Sequence, residues 1–176
     1  MKSIIKLYLK LFLQTAIIYF LIMALFDLAL GNQLTLWNYV PKSLFVGVFV
    51  SLILVSIHVN KLKKNGIKNI SDANVGVNQT RIISSELNKS ELIQKLKSDS
   101  TIGKMEMREI ENGVLFQTGM TMKSWGEEIK IILKFNKNSN FEYQVSSRPK
   151  LKTTLVDYGK NLENVNSIEN LMKNIS

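Results

Sequence analysis

The chain has 176 residues, 23 Lys and Arg against 14 Asp and Glu, and a formal net charge of +9. It contains no Cys and one His, which excludes disulfides, thiolate chemistry and any metal site that needs two His ligands. The first sixty residues are apolar and the rest are polar and basic, so the chain divides into two unlike parts.

Two apolar runs predict a transmembrane hairpin over residues 1–60. The first extends from Leu7 to Leu30 and the second from Ser43 to Val59, and a helix needs about 20 apolar residues to cross a bilayer. Between them, Trp37 and Tyr39 are typical of an aromatic belt at the membrane surface. A cleaved signal peptide stays open for the first run, although its apolar stretch is longer than such peptides usually have.

Lysines flank this hairpin unevenly. They precede or open the first run and follow the second, at Lys2, Lys6, Lys10, Lys61, Lys63, Lys64 and Lys68. The loop between the runs has only Lys42. The positive-inside rule therefore predicts a multi-pass protein of the inner, cytoplasmic membrane with both termini in the cytoplasm.

Small residues recur every four positions in the second run, at Ser43, Gly47 and Ser51. This spacing places them on one helix face, where another helix can approach closely. We expect packing of the two spans within one chain rather than a seam with a second copy or another membrane protein. Gln14 is expected to form a hydrogen bond across the same seam.

Residues 61–80 are rich in Gly, Asn and Lys and predict a juxtamembrane connector. Residues 81–176 predict an α+β domain. Asn88 and Glu91 match a capping box, Asn112-Gly113 indicates a hairpin, and apolar residues alternate over 114–122, 129–135 and 141–145. A helical stripe begins at Leu162. The predicted order is β-α-β-β-β-β-α, an antiparallel sheet covered on one face by helices.

Catalytic and cofactor motifs are absent from the sequence. It has no phosphate-binding glycine loop, no zinc-protease motif and no nucleophile elbow. Glu127 and Glu128 are adjacent, point to opposite faces of a strand and are expected to be solvated at a turn and sheet edge. His58 lies at the end of the second run, either as a pH sensor or as a boundary residue. We therefore expect no catalytic residues, metal or cofactor.

A basic stretch follows the last predicted strand, with Arg148, Lys150 and Lys152 ahead of Asp157 and Asn161. Two interpretations stay open. Asp and Asn favour turns and helix caps, which indicates a loop leading into the last helix. Alternatively, the basic residues face a helix N-terminus and form a candidate anion or ligand site.

The segment Asp157-Tyr158-Gly159-Lys160-Asn161 resembles the C-terminal end of a group of small uncharacterised bacterial proteins. The resemblance covers the last thirty or so residues. It implies a bacterial source and a turn before the last helix, and it implies no activity.

The sequence favours a bacterial inner-membrane anchored protein with a cytoplasmic binding or protein-interaction domain. The alternative is a ligand-responsive two-helix membrane effector whose cytoplasmic domain binds a small anionic molecule. An enzyme acting on membrane lipid is the least favoured class, because no nucleophile–base pair is evident. Nucleic-acid binding is also disfavoured, since the basic charge is spread out and no recognition motif accompanies it. The expected partners are the lipid bilayer and a second copy or another membrane protein.

Overall fold

The computed structural model describes residues 1–33, 35–120, 124–137 and 140–173. The chain forms two compact units, Met1–Val75 and Gly76–Ser176. The boundary between them falls inside the polar stretch 61–80.

The first unit is built from two long helices, α1 (Lys2–Ala29) and α2 (Leu36–Lys64). Each is long and apolar enough to cross a membrane. Both exceed the apolar runs of the sequence because polar residues at their ends continue the helical hydrogen bonding. α2 therefore already includes Trp37 and Tyr39, which the sequence placed between the spans.

A polar cluster joins the two helices near the loop between them. Tyr39 is buried and its hydroxyl donates to Asp27 Oδ2, while Asn32 Nδ2 donates to Asp27 Oδ1 at 2.9 Å. Trp37 is 85% exposed. The two aromatic residues thus differ, and only Trp37 has the outward position expected of a belt residue.

The apolar side chains of both helices point mostly outward. Only Leu7, Leu11 and Ala16 of α1 are buried. Large apolar residues are exposed along both helices, including Leu9, Leu13, Ile17, Leu21, Leu25, Phe45, Phe49, Leu52 and Ile53. These helices are therefore not the buried core helices of a water-soluble domain.

The described residues of the second unit form five strands and two α-helices. In chain order these are β1 (Gln79–Ser85), α3 (Lys89–Ser98), a 3-10 turn (Ile102–Lys104), β2 (Glu106–Ile110), β3 (Gly113–Gln117), β4 (Glu127–Lys137), β5 (Asn140–Pro149) and α4 (Lys160–Lys173). All strand pairs are antiparallel, in the order β1-β5-β4-β3-β2. The predicted α+β class and element order are confirmed, while the predicted alternation beyond β3 at Met122 lies outside the described residues.

Alternate strand residues form a core against α3 and α4, as the period-two pattern requires. The fully buried members are Ile83, Leu92, Leu96, Ile102, Val114, Phe116, Ile129, Ile131, Tyr143, Val145, Val165, Ile168 and Met172. Burial raises the pKa of the Tyr143 phenol to about 12, and its hydroxyl donates to the Leu87 carbonyl at 2.9 Å. On the opposite face of β1, Ile82 is exposed.

Two predicted local signals are confirmed, one with a different geometry. The capping box is present, since Asn88 Oδ1 accepts from the N–H of Glu91 at 3.0 Å and Glu91 accepts from the N–H of Asn88 at 2.8 Å. The β2–β3 hairpin is present, but Gly113 pairs with Ile110, and neither Asn112 nor Gly113 has a positive φ. The turn therefore consists of residues 111 and 112 rather than 112 and 113.

Gly113 is required for a different reason, the close approach of β3 to β4. A Cβ at this position would lie 1.9 Å from the Ile131 carbonyl oxygen. No side chain fits there unless the two paired strands move apart.

Candidate functional site

The small residues of α2 lie between the two helices of the same chain. Ser43 and Ser51 are buried, and their hydroxyls donate to carbonyls of their own helix. A Cβ at Gly47 would lie 3.0 Å from Ala16 Cβ of α1. The absence of a side chain at Gly47 thus permits close packing within the hairpin.

Gln14 is half-buried in α1. The hydroxyl that approaches the second helix is that of its neighbour Thr15, whose Oγ1 lies 3.5 Å from the Gly47 carbonyl oxygen. Thr15 Oγ1 also donates to the Leu11 carbonyl of its own helix at 2.8 Å. Helical geometry explains why Thr15 is at the seam, because Leu11 and Thr15 are four residues apart on one face.

The polar segment after α2 packs onto the lysine-rich end of the hairpin. His58 is fully buried, and its Nε2 donates to the Val75 carbonyl at 2.9 Å. Lys6 Nζ forms an ion pair with Asp72 Oδ2 at 2.7 Å, and hydrogen bonds from Lys6 and then Ser3 hold the pKa of Asp72 below its usual value. His58 is therefore packed against the segment that follows α2.

The second unit has a cleft of about 800 Å³ at one end of the sheet. It lies where β3 ends, β4 begins, β5 ends and α4 begins, and we call it the sheet-end cleft. Its ionisable lining residues are Lys104, Glu106, Glu127, Lys150, Lys160 and Glu163. Cations and carboxylates from separate segments of the chain thus line one cavity.

Glu127 is the unexpected member of this cleft, because it is only 2% exposed. The Thr118 hydroxyl donates to Glu127 Oε2 at 2.6 Å and accepts from the Glu127 N–H at 2.7 Å. No described residue donates a hydrogen bond to the other carboxylate oxygen, Oε1. The expectation of a solvated Glu127 was wrong. The alternation with Ile129 and Ile131 contained the signal, since it places Glu127 on the core face.

Lys150 reaches the cleft across Gly126. The N–H of Lys150 donates to the Gly126 carbonyl at 2.9 Å. Gly126 has φ +90, and a Cβ there would lie 3.2 Å from Lys150 Cδ and 2.7 Å from the Thr118 carbonyl oxygen. Glycine is needed here both for its backbone conformation and for the path of the lysine side chain.

The three basic residues predicted from the sequence lie along one groove. Arg148, Lys150 and Lys152 line a concavity of about 610 Å³ that also includes Glu128. Arg148 Nε donates to Glu128 Oε1 at 2.9 Å, and Nη2 donates to the same atom at 2.5 Å. Lys150 lines both this groove and the sheet-end cleft. The cationic residues are thus brought together, although Arg148 has a carboxylate partner.

Asp157 and Asn161 occupy a buried network instead. Asp157 Oδ1 accepts from the N–H of Gly159 at 3.1 Å, and Oδ2 accepts from the Asn161 N–H at 2.8 Å. Asn161 Oδ1 in turn accepts from the Ser147 hydroxyl of β5 at 2.6 Å. Two consecutive positive φ values, at Tyr158 (53) and Gly159 (75), precede the helix. This pair therefore attaches the start of α4 to the sheet, which corresponds to the loop interpretation.

Comparison with family models, curated proteins and solved structures finds no match to this chain. Within the described residues, no group of three or more His, Asp or Glu is placed to hold a metal ion.

Proposed function

We propose that this chain is a bacterial inner-membrane protein in which α1 and α2 form a two-span anchor with cytoplasmic termini. Its polar domain binds a small anionic molecule at the cationic end of the sheet. The single observation that carries the proposal is the outward orientation of the apolar side chains on two long helices.

The anchor follows from the surface that the helices expose. Burying apolar surface is favourable by roughly 25 cal/mol per Å², so such extensive exposure to water is strongly disfavoured. A signal sequence would account for α1, which lies near the N-terminus, but it would not account for α2. A bilayer accounts for both helices, and the flanking lysines favour the cytoplasm for both ends.

Ligand binding follows from the shape and charge of the second unit. The groove at Arg148 and the sheet-end cleft are adjacent concavities that share Lys150. Concave sites with a few polar groups are typical of small-molecule binding, whereas protein-interaction surfaces are flatter and larger. The geometry therefore supports a small ligand over a protein partner.

Membrane topology is tested by reporter fusions to the full chain. A phosphatase fused after Ser176 is expected to be inactive, because that enzyme folds only outside the cytoplasm, and one inserted after Gln33 is expected to be active. Alkaline carbonate washing should leave the chain in the membrane fraction. Release by carbonate, or the opposite reporter pattern, would contradict the anchor.

Anion binding is tested by titrating inorganic phosphate into the detergent-solubilised chain. Lys150→Gln should weaken binding about tenfold, the loss expected when one charge-assisted hydrogen bond is removed. Lys134→Gln is the matched control, since Lys134 is exposed on β4 and lines neither the cleft nor the groove. Equal affinity in all three proteins would contradict a phosphate site at this end of the sheet.

A further inference from the structure

We propose that the sheet-end cleft selects a zwitterion, with Glu127 binding an ammonium group and Lys104 and Lys150 binding a phosphate or carboxylate. This inference rests on the proposed anion-binding function and adds the second half of the ligand.

The first argument is the state of the Glu127 carboxylate. A buried carboxylate is stable when each oxygen finds a donor or a cation, because desolvating a charge is costly. Thr118 supplies one neutral donor, to Oε2. Oε1 receives none from the described residues and is not enclosed by protein, so it is open to the cleft that Glu127 lines. An ammonium group of a ligand in the cleft would replace water at Oε1 and supply the opposite charge.

The second argument concerns which lysines of the cleft already form an ion pair. Lys160 Nζ pairs with Glu163 Oε2 at 3.4 Å, one turn along α4. Neither Lys104 nor Lys150 forms an ion pair with any described carboxylate. Two cations therefore remain for the anionic half of a ligand. They come from separate segments, one at the end of the 3-10 turn and one after β5.

Glu127 and the two lysines together determine the class of ligand. A simple anion would bind the lysines but would be repelled by the nearby Glu127, and a simple cation would meet the reverse arrangement. A molecule that has both charges satisfies both groups. The Met105 side chain adds an apolar wall, and about 800 Å³ exceeds the volume that two small charged groups require.

Aminoalkyl phosphates are the simplest molecules with this chemistry. They occur free and as the headgroup of zwitterionic phospholipids. O-phosphoethanolamine is therefore the test probe, with inorganic phosphate and ethanolamine as its two halves. Glycerophosphoethanolamine represents the lipid-derived form.

The experiment is calorimetric titration of the full chain in a non-ionic detergent. O-phosphoethanolamine should bind at least about tenfold more tightly than inorganic phosphate, since one charge-assisted hydrogen bond is gained. Ethanolamine alone should bind more weakly than either. Tighter binding of glycerophosphoethanolamine would identify a headgroup as the source, and weaker binding would identify the free molecule. Both results support the zwitterion site.

Glu127→Gln should reduce the affinity for O-phosphoethanolamine to that for phosphate. Glu142→Gln is the matched control, because Glu142 is exposed on β5, lines neither the cleft nor the groove, and should leave the preference unchanged. Equal affinity of the unmodified chain for O-phosphoethanolamine and phosphate would overturn the zwitterion inference and leave the anion proposal standing. Absence of binding by both probes would overturn both. These two outcomes are read from the unmodified chain, so they do not depend on the folding of any variant.

Discussion

Gly113→Ala tests whether the close approach of β3 and β4 limits the stability of the sheet. The added Cβ would lie 1.9 Å from the Ile131 carbonyl oxygen and 2.9 Å from the Ile131 carbonyl carbon. Both are backbone atoms in a paired strand, so no side-chain rotation relieves the overlap. The strands must separate by about 1.5 Å to restore an ordinary contact, and overpacking of this kind typically costs about 1–3 kcal/mol. The β3–β4 hydrogen bonds that lengthen add about 1 kcal/mol each.

We therefore expect Gly113→Ala to lower the free energy of unfolding by about 2–4 kcal/mol, summing the overpacking and hydrogen-bond costs. Pulse proteolysis of the full chain in detergent across a urea series measures this, because it reports unfolding of the polar domain. Gly76→Ala is the matched control, since nothing lies within 4 Å of its added Cβ and its φ is not positive. The control should be neutral or slightly stabilising. If both variants unfold at the same urea concentration, the strand-approach argument is wrong.

Three further outcomes are expected. Gly47→Leu should lower the temperature at which the chain aggregates in detergent, because the larger side chain separates the two helices, whereas Val48→Leu on the outer face should not. Equal aggregation temperatures for the two variants would exclude close packing at Gly47. Gly159→Val should lower the free energy of unfolding by about 2 kcal/mol, because φ is +75 at this position. Arg148→Ala should lower it by under about 1 kcal/mol in the same urea assay. Equal losses of stability would mean that Arg148 has a structural role. The Tyr143 pKa lies at about 12 against an ordinary 10.0, so the unfolded chain loses this proton first as pH rises. The contribution of this proton to stability is complete below pH 10 and is lost towards pH 12. The difference in unfolding free energy between the unmodified chain and Tyr143→Phe should therefore shrink over that range. A constant gap would contradict the burial of the phenol.

Much of the fold could be read from short-range patterns. Alternating apolar residues predicted the strands of the second unit, and the Asn88–Glu91 spacing predicted the start of α3. Apolar runs of membrane-spanning length predicted α1 and α2. Each of these signals depends on residues that are close in the chain, which is why sequence periodicity detects them.

The candidate site could be predicted only in part. Arg148, Lys150 and Lys152 are neighbours in the sequence, and the structure places them along one groove. The sequence left two interpretations open for Asp157 and Asn161, and the structure shows their side chains accepting from the N–H groups of Gly159 and Asn161 and from the Ser147 hydroxyl. Local sequence indicated a polar loop there without indicating which polar groups would be desolvated.

The sequence by itself determined the division into an apolar and a polar part, the α+β class and the order of elements, because these follow from composition and local periodicity. Only the tertiary structure decided that Gly113 must be glycine, that His58 is buried, and that Glu127 lies in a cleft with Lys104 and Lys150. Those facts depend on which backbone and side-chain atoms meet across strands and helices. The partners are far apart in the chain, so the register of the sheet and the packing of the helices decide them.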